Sequence, residues 1–218
     1  MIYFYSGTPG SGKSLHVAKD IYWKLRKEDW VFANFTINFD TFKSYKRKYK
    51  FFGKKIEVND MKGVFIERDN QKLRPEWFMN FAQQYFRRNK KGQIEEGQAL
   101  IVIDECAIIF NSRDWQVANR ANWVKFFTQH RKFGYNIILI SQFDRLIDRQ
   151  IRSLIEYEVK HRKLNNYNWF GKLLGKCSGG ALFIAITYWY SVKEKIESET
   201  FGLNKRYLDF YDSYKIFG

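Results

Sequence analysis

The spacing of hydrophobic and polar positions changes twice within the first forty residues. Ile2 to Tyr5 is a short continuous apolar run, the pattern of a buried strand, and it leads into the loop "SGTPGSGKS". Beyond the loop Leu15, Ala18, Ile21, Tyr22 and Leu25 recur at helical spacing, which predicts a helix over Leu15 to Lys27. Trp30 to Asn38 reads as a strand bounded by acidic residues. "PEWFMNFAQQYFRRN" predicts a helix with Pro75 in its first turn, and "KKGQIEEGQ" a loop. "ALIVIDE" and "NIILISQ" are continuous apolar runs, which predicts strands buried on both faces of a parallel sheet. Between them "ANWVKFFTQHRKFG" has helical periodicity, with Gly134 placed as its C-cap. From Tyr157 onward alternation ("EYEVKHRKL") and then "ALFIAITYWY" predict antiparallel strands. The alternation of strands and helices predicts an α/β fold with a mostly parallel sheet, helices on both faces and ligands at the carboxyl ends of the strands. Residues 1–163 form the expected core and 164–218 a small β-rich appendage of the same domain.

Composition narrows this picture. The chain has 218 residues, enough for one substantial core, and 45% of them are apolar, which excludes a disordered chain. Cys106 and Cys177 are the only cysteines and have no Cys or His at metal spacing, so a reducing compartment without a metal cluster is expected. No signal peptide is expected, and "GGALFIAITYWYSV" is too short for a spanning helix. A formal charge of +15 predicts attraction to polyanions, either nucleic acid or an anionic membrane surface.

The loop after the first strand carries the sharpest chemistry. Gly7, Gly12, Lys13 and Ser14 fit G-x-x-x-x-G-K-[ST], a loop whose backbone N–H groups wrap a polyphosphate. Gly7, Thr8, Pro9, Gly10, Ser11, Gly12, Lys13, Ser14 and Leu15 are the expected cradle for ATP. Lys13 would reach the β/γ-phosphates, and Ser14 would hold Mg²⁺ together with Asp104 at the end of "LIVIDE". Glu105, directly after Asp104, can accept a proton from the attacking water, which favours hydrolysis over mere binding. Gln142, closing "IILISQ", can sense the γ-phosphate or orient the water. NTP-driven rings complete each site with an arginine from the adjacent subunit. Arg152, then Arg149, then Arg131 are the candidates for that role. His16, His130 and His161 are scattered and read as structural, and Cys106 as a small buried residue.

A second feature is "FKSYKRKYKFFGKK", in which seven of the thirteen residues from Lys43 to Lys55 are basic and aromatics are interleaved. Lys43, Lys46, Arg47, Lys48 and Lys50 suit a phosphate backbone, with rings stacking on the bases of single-stranded DNA. The same pattern suits an anionic lipid surface, or a solvated hairpin whose rings are core.

Taken together, "GTPGSGKS", "LIVIDE" with Trp115 beyond it, "FFTQHRKFGYNIILISQ" and "IDRQIR" resemble the zonula occludens toxin-like (Zot) family of filamentous phage assembly ATPases, over roughly Met1 to Lys163. The resemblance implies a P-loop NTPase of the additional-strand type, akin to FtsK and HerA, with the strand ending in Gln142 lying between the P-loop strand and the strand ending in Asp104. It implies an ATP-hydrolysing homo-oligomeric ring that works with other phage assembly proteins at the inner face of the cytoplasmic membrane. Family members typically continue into a transmembrane helix. This sequence shows none, so a cytoplasmic, peripheral protein attached through a partner or a basic surface is expected. The alternatives are a packaging or conjugation-type DNA motor and a nucleotide-gated assembly scaffold without enzymatic activity. A small-molecule kinase would share the loop but needs no glutamate base.

Overall fold

The computed structural model describes residues 1–47, 55–111, 120–164 and 181–210. β1 (Ile2–Ser6) leads through the glycine loop into α1 (Lys13–Arg26) and β2 (Trp30–Ala33). A 3₁₀ turn over Phe39–Phe42 precedes the separate hairpin of β3 (Lys43–Arg47) and β4 (Lys55–Asn59). β5 (Val64–Glu67), α2 (Pro75–Tyr85), β6 (Ala99–Ile103), α3 (Arg120–Gln129) and β7 (Tyr135–Ile140) complete the central layers. A short α4 (Arg149–Arg152) leads to β8 (Tyr157–Lys163), β9 (Leu182–Trp189), β10 (Lys195–Gly202) and α5 (Lys205–Leu208).

Eight strands form one sheet in the order β10-β9-β8-β1-β7-β6-β2-β5. The six strands from β8 to β5 run parallel, and β9 and β10 are antiparallel additions. β7 therefore lies between β1 and β6, as the additional-strand architecture requires.

Alternate side chains of the buried strands feed two cores. On one face Val17, Ala18, Ile21 and Leu25 of α1 meet Val31, Val102, Ile138 and Val159. Each fully buried Val, Leu or Ile contributes about 1.5–3 kcal/mol relative to exposure. On the other face Phe78 of α2 and Trp123, Phe126 and Phe127 of α3 cover Phe4, Phe32, Ile101 and Ile137. Phe78 stacks on Phe126 at 5.7 Å and meets Phe32 edge-on at 5.6 Å, so much of the aromatic content is core. Cys106 is fully buried there, and burial pushes its thiol well above the ordinary range.

Three sequence expectations change. β2 stops at Ala33 rather than Asn38, because Phe35 and Ile37 are buried against the α1 core from a non-ladder segment. α3 ends at Gln129, and Gly134, at φ +77°, closes the turn that follows. β8 joins the parallel part of the sheet beside β1 rather than an antiparallel annex. Phe42, one of the rings interleaved with the basic residues, is buried and stacks on Tyr22 at 5.0 Å, in keeping with the alternative that placed rings of this segment in the core. No helix among the described residues is long and apolar enough to cross a membrane.

Candidate nucleotide-binding site

The glycine loop leaves the carboxyl end of β1 near the middle of the sheet. Two of its glycines are obligatory. Gly7 has φ +143°, and a Cβ there would lie 2.6 Å from Ser11 Oγ and 2.7 Å from the His161 carbonyl oxygen. Gly12 has φ +97°, and its Cβ would lie 2.7 Å from the ring of Phe183 on β9. As the N-cap of α1, Gly12 supplies no side-chain acceptor. The first-turn N–H groups of a fourteen-residue helix are thus left to an anion. Ser11 Oγ is buried without a hydrogen-bond partner in the protein, as expected for a donor reserved for a ligand.

Lys13 donates to the carbonyls of Gly7, at 2.6 Å, and Thr8, at 3.2 Å. Burial lowers its pKa, and the charges of Asp104 and Glu105 partly oppose that shift. The loop lysine and the two carboxylates after β6 therefore share one field. Burial raises the Glu105 carboxyl, Asp104 raises it further, and Lys13 opposes both. Glu105 adopts φ +45°, a left-handed conformation uncommon outside glycine, while its N–H donates to Asp104 Oδ1 at 2.8 Å. Gln142 is exposed two residues beyond the end of β7, the strand between β1 and β6. The donor set suits a magnesium nucleotide: the Ser14 hydroxyl and Asp104 carboxylate are hard oxygen ligands of the kind Mg²⁺ takes alongside phosphate.

The three arginines are not gathered at this chain's own loop. Arg131 pairs with Glu156, whose carboxylate also accepts the Ile2 N–H at the amino end of β1. Arg152 closes α4, and Glu156, four residues further on, lies at that same end. Arg149 is exposed in the first turn of α4, which Asp148 caps through the N–H groups of Gln150 and Ile151. In the basic hairpin Lys43 pairs with Asp40 at 2.7 Å, and the side chains of Lys46 and Arg47 are not described. Lys48 and Lys50 lie outside the described residues, as does Trp115.

Sequence reasoning missed three supports of the site. Asn34, just beyond β2, bonds the backbone of Asp104 twice. It carries the signal used for Gln142, a polar amide closing an apolar strand, but the longer strand expected there hid it. His16 and His161 form a buried pair at 2.8 Å that ties α1 to β8 beneath the loop. Phe183, on the strands expected to be an appendage, packs against Leu15 and bounds Gly12.

Comparison with known proteins agrees with this geometry. Over 91 residues the chain is 40% identical to the gene 1 protein of Enterobacteria phage I2-2, a match covering 40% of this chain and 25% of that protein. Over 98 residues it is 32% identical to the gene 1 protein of Escherichia phage If1, covering 44% and 28%. The matched part thus spans about a quarter of the length of these relatives. Among solved structures, the N-terminal domain of zonular occludens toxin from Neisseria meningitidis aligns over 97% of this chain and 98% of its own, with TM-score 0.53 and 16% identity. The genome packaging NTPase B204 from Sulfolobus turreted icosahedral virus 2, in complex with AMPPCP, aligns over 93% and 98%, with TM-score 0.52 and 14% identity. These likenesses show a shared α/β fold. The family model for zonular occludens toxin (Zot) matches residues 1–207, and the chain belongs to that family.

Proposed function

We propose that the protein hydrolyses ATP with Mg²⁺ and works as a motor in the assembly and export of a filamentous single-stranded DNA phage. The observation that carries the reading is the glycine loop between β1 and α1, which holds Lys13 on its own carbonyls, leaves the Gly12 cap without a side-chain acceptor and buries the Ser11 hydroxyl without a protein partner. A polyphosphate exchanges for the Gly7 and Thr8 carbonyls on the Lys13 ammonium, while the N–H groups at the start of α1 receive its oxygens. Ser14 and Asp104 would hold Mg²⁺, which neutralises phosphate charge. Glu105, kept more basic than an exposed carboxylate by burial and by Asp104, accepts the proton of the attacking water. Gln142 orients that water from the neighbouring strand end.

The gene 1 relatives support a phage role, and the charge of +15 supports work beside an anionic partner. In this reading the module forms a homo-oligomeric ring at the inner face of the cytoplasmic membrane, with other assembly proteins as partners. Single-stranded DNA runs along Lys43, Lys46, Arg47, Lys48 and Lys50. An arginine in trans completes each site. The exposure of Arg149 supports it, whereas Arg131 is already engaged with Glu156. Arg152 remains a candidate only for a neighbouring subunit, since it lies toward the opposite end of the sheet from its own loop.

ATPase rate and nucleotide affinity of Lys13→Ala and Glu105→Gln test the chemistry. Lys13→Ala loses both. Glu105→Gln retains affinity and loses about 10²–10⁴-fold in kcat. A Glu105→Gln variant that turns over at the parent rate overturns the assignment of the base.

A further inference from the structure

We infer that Asn34 is the positioning residue for the carboxylate pair Asp104–Glu105, an inference that rests on the proposed ATPase site. The ladder between β2 and β6 ends at Ala33 opposite Val102. Past that point the Asn34 side chain replaces the missing backbone. Its Oδ1 accepts the Asp104 N–H at 2.8 Å, and its Nδ2 donates to the Asp104 carbonyl at 2.8 Å. The second Nδ2 hydrogen is used as well, in a bond to Asn70 Oδ1 at 2.8 Å. Asn34 is 4% exposed and Asp104 8%, so water does not substitute readily for these bonds.

The chemistry of the clamp is specific to an amide. One side chain must accept from an N–H and donate to a carbonyl two bonds away on the same residue, which only Asn or Gln can do, and Gln is one methylene longer. The two peptide units fixed in this way flank Asp104. The second of them, Asp104–Glu105, starts the left-handed turn at Glu105, whose φ of +45° an unsupported chain would leave. The Asp104 carboxylate is held from its other side by the Glu105 N–H. Asn34 thereby sets, through the Asp104 backbone, where the metal-ligating carboxylate and the base point. Asn70 holds the amide in its working orientation from the segment between β5 and α2.

The experiment compares Asn34→Ala, Asn34→Asp and Asn70→Ala with the parent. Asn34→Asp keeps the acceptor for the Asp104 N–H but sets an oxygen against the Asp104 carbonyl. A misplacement of about 1 Å in a reacting group costs about 10²-fold in rate. Both Asn34 variants should lose kcat on that scale, with KM for ATP rising by no more than the factor that Mg²⁺ contributes to parent affinity, and Asn70→Ala should lose less. The second readout is the affinity for a fluorescent non-hydrolysable ATP analogue with Mg²⁺ and with EDTA. The parent binds more tightly with Mg²⁺, and the Asn34 variants lose that Mg²⁺ advantage while keeping the EDTA affinity. Parental kcat and parental Mg²⁺ advantage in Asn34→Asp and Asn70→Ala, both of which conserve the fold most closely, overturn the inference. Equal loss of affinity in both buffers also overturns it, by making Asn34 a fold residue. If the parent does not hydrolyse ATP, the proposed activity fails and the Mg²⁺ readout alone decides the role of Asn34.

Discussion

Gly12 and Gly10 make a controlled pair for testing how far the C-terminal strands brace the nucleotide loop. Both have left-handed backbones, φ +97° and φ +72°. A Cβ on Gly10 would have nothing within 4 Å, whereas one on Gly12 would meet the Phe183 ring at 2.7 and 2.9 Å and the Phe183 Cβ at 3.3 Å. An L-residue in the left-handed region costs roughly 1–2 kcal/mol, and Gly10→Ala should cost that much. Gly12→Ala adds displacement of a packed ring, typically ~1–3 kcal/mol. For a domain of this size each kcal/mol lowers Tm by about 2–4 °C. Thermal unfolding followed by circular dichroism should show Gly10→Ala about 2–8 °C below the parent, and Gly12→Ala a further ~2–12 °C lower. In a Phe183→Ala background the extra penalty of Gly12→Ala should vanish, leaving only the backbone cost. The double-mutant cycle then gives a coupling of ~1–3 kcal/mol. Equal Tm losses for the two glycine variants, or an unchanged Gly12→Ala penalty without the ring, would refute the claim that β9 shapes the loop.

Three further outcomes are expected. Burial, and then the charge of His16, hold His161 at a pKa of about 3 against the ordinary 6.5. The unfolded chain therefore binds the extra proton first, and stability falls as pH drops from 6.5 toward 3. Urea unfolding across that window should show a shallower acid limb in His161→Gln, and an unchanged limb would remove the His16–His161 pair from the explanation. Neutralising Lys46, Arg47, Lys48 and Lys50 together should weaken single-stranded DNA binding and flatten its salt dependence by about 0.7 log units per lost phosphate contact. An unchanged slope would take DNA away from this segment. Mixing Lys13→Ala subunits with subunits lacking Arg149 or Arg152 should restore part of the ATPase activity, since each defect lies in a different half of a shared site. Absence of rescue in both crosses would argue against a shared site.

The loop itself was fully legible because everything that defines it is local: apolar strand, glycines, lysine and helix follow one another within fourteen residues. The buried runs ending at Asp104 and Gln142 were equally readable, since strands covered on both faces have little room for polar residues. What failed was whatever depends on a partner far along the chain. Phe35 and Ile37 alternate with polar residues as in a strand, but their spacing serves burial against α1 and Phe210, and the ladder has already ended at Ala33. Alternation in Tyr157 to Lys163 suggested an antiparallel strand, whereas β8 alternates because Val159 and His161 face the α1 side while Glu158 meets Ser6 on the other. The rings among the basic residues suited a stacking platform, a lipid surface or a core equally, and the contacts of Phe42 with Tyr22 and Phe210 put that ring in the core. Asn34 does close an apolar strand as Gln142 does, but the strand expected to run on to Asn38 concealed it. Its importance arises from lying beside Asp104, seventy positions later.

The placement of β1 also sets a schedule for the newborn protein. Ile2 pairs with Ile137 and Tyr3 with Tyr157, so the strand made first waits for partners made much later. Until β7 and β8 have left the ribosome, β1 has an open edge on each side and the loop behind it has no frame. Phe183, which bounds Gly12, emerges later still. Such long-range pairing is slow to form and leaves apolar edges exposed meanwhile, which makes the growing chain a natural client for chaperones. It also means that a product cut short before Phe183 lacks the side chain that bounds Gly12.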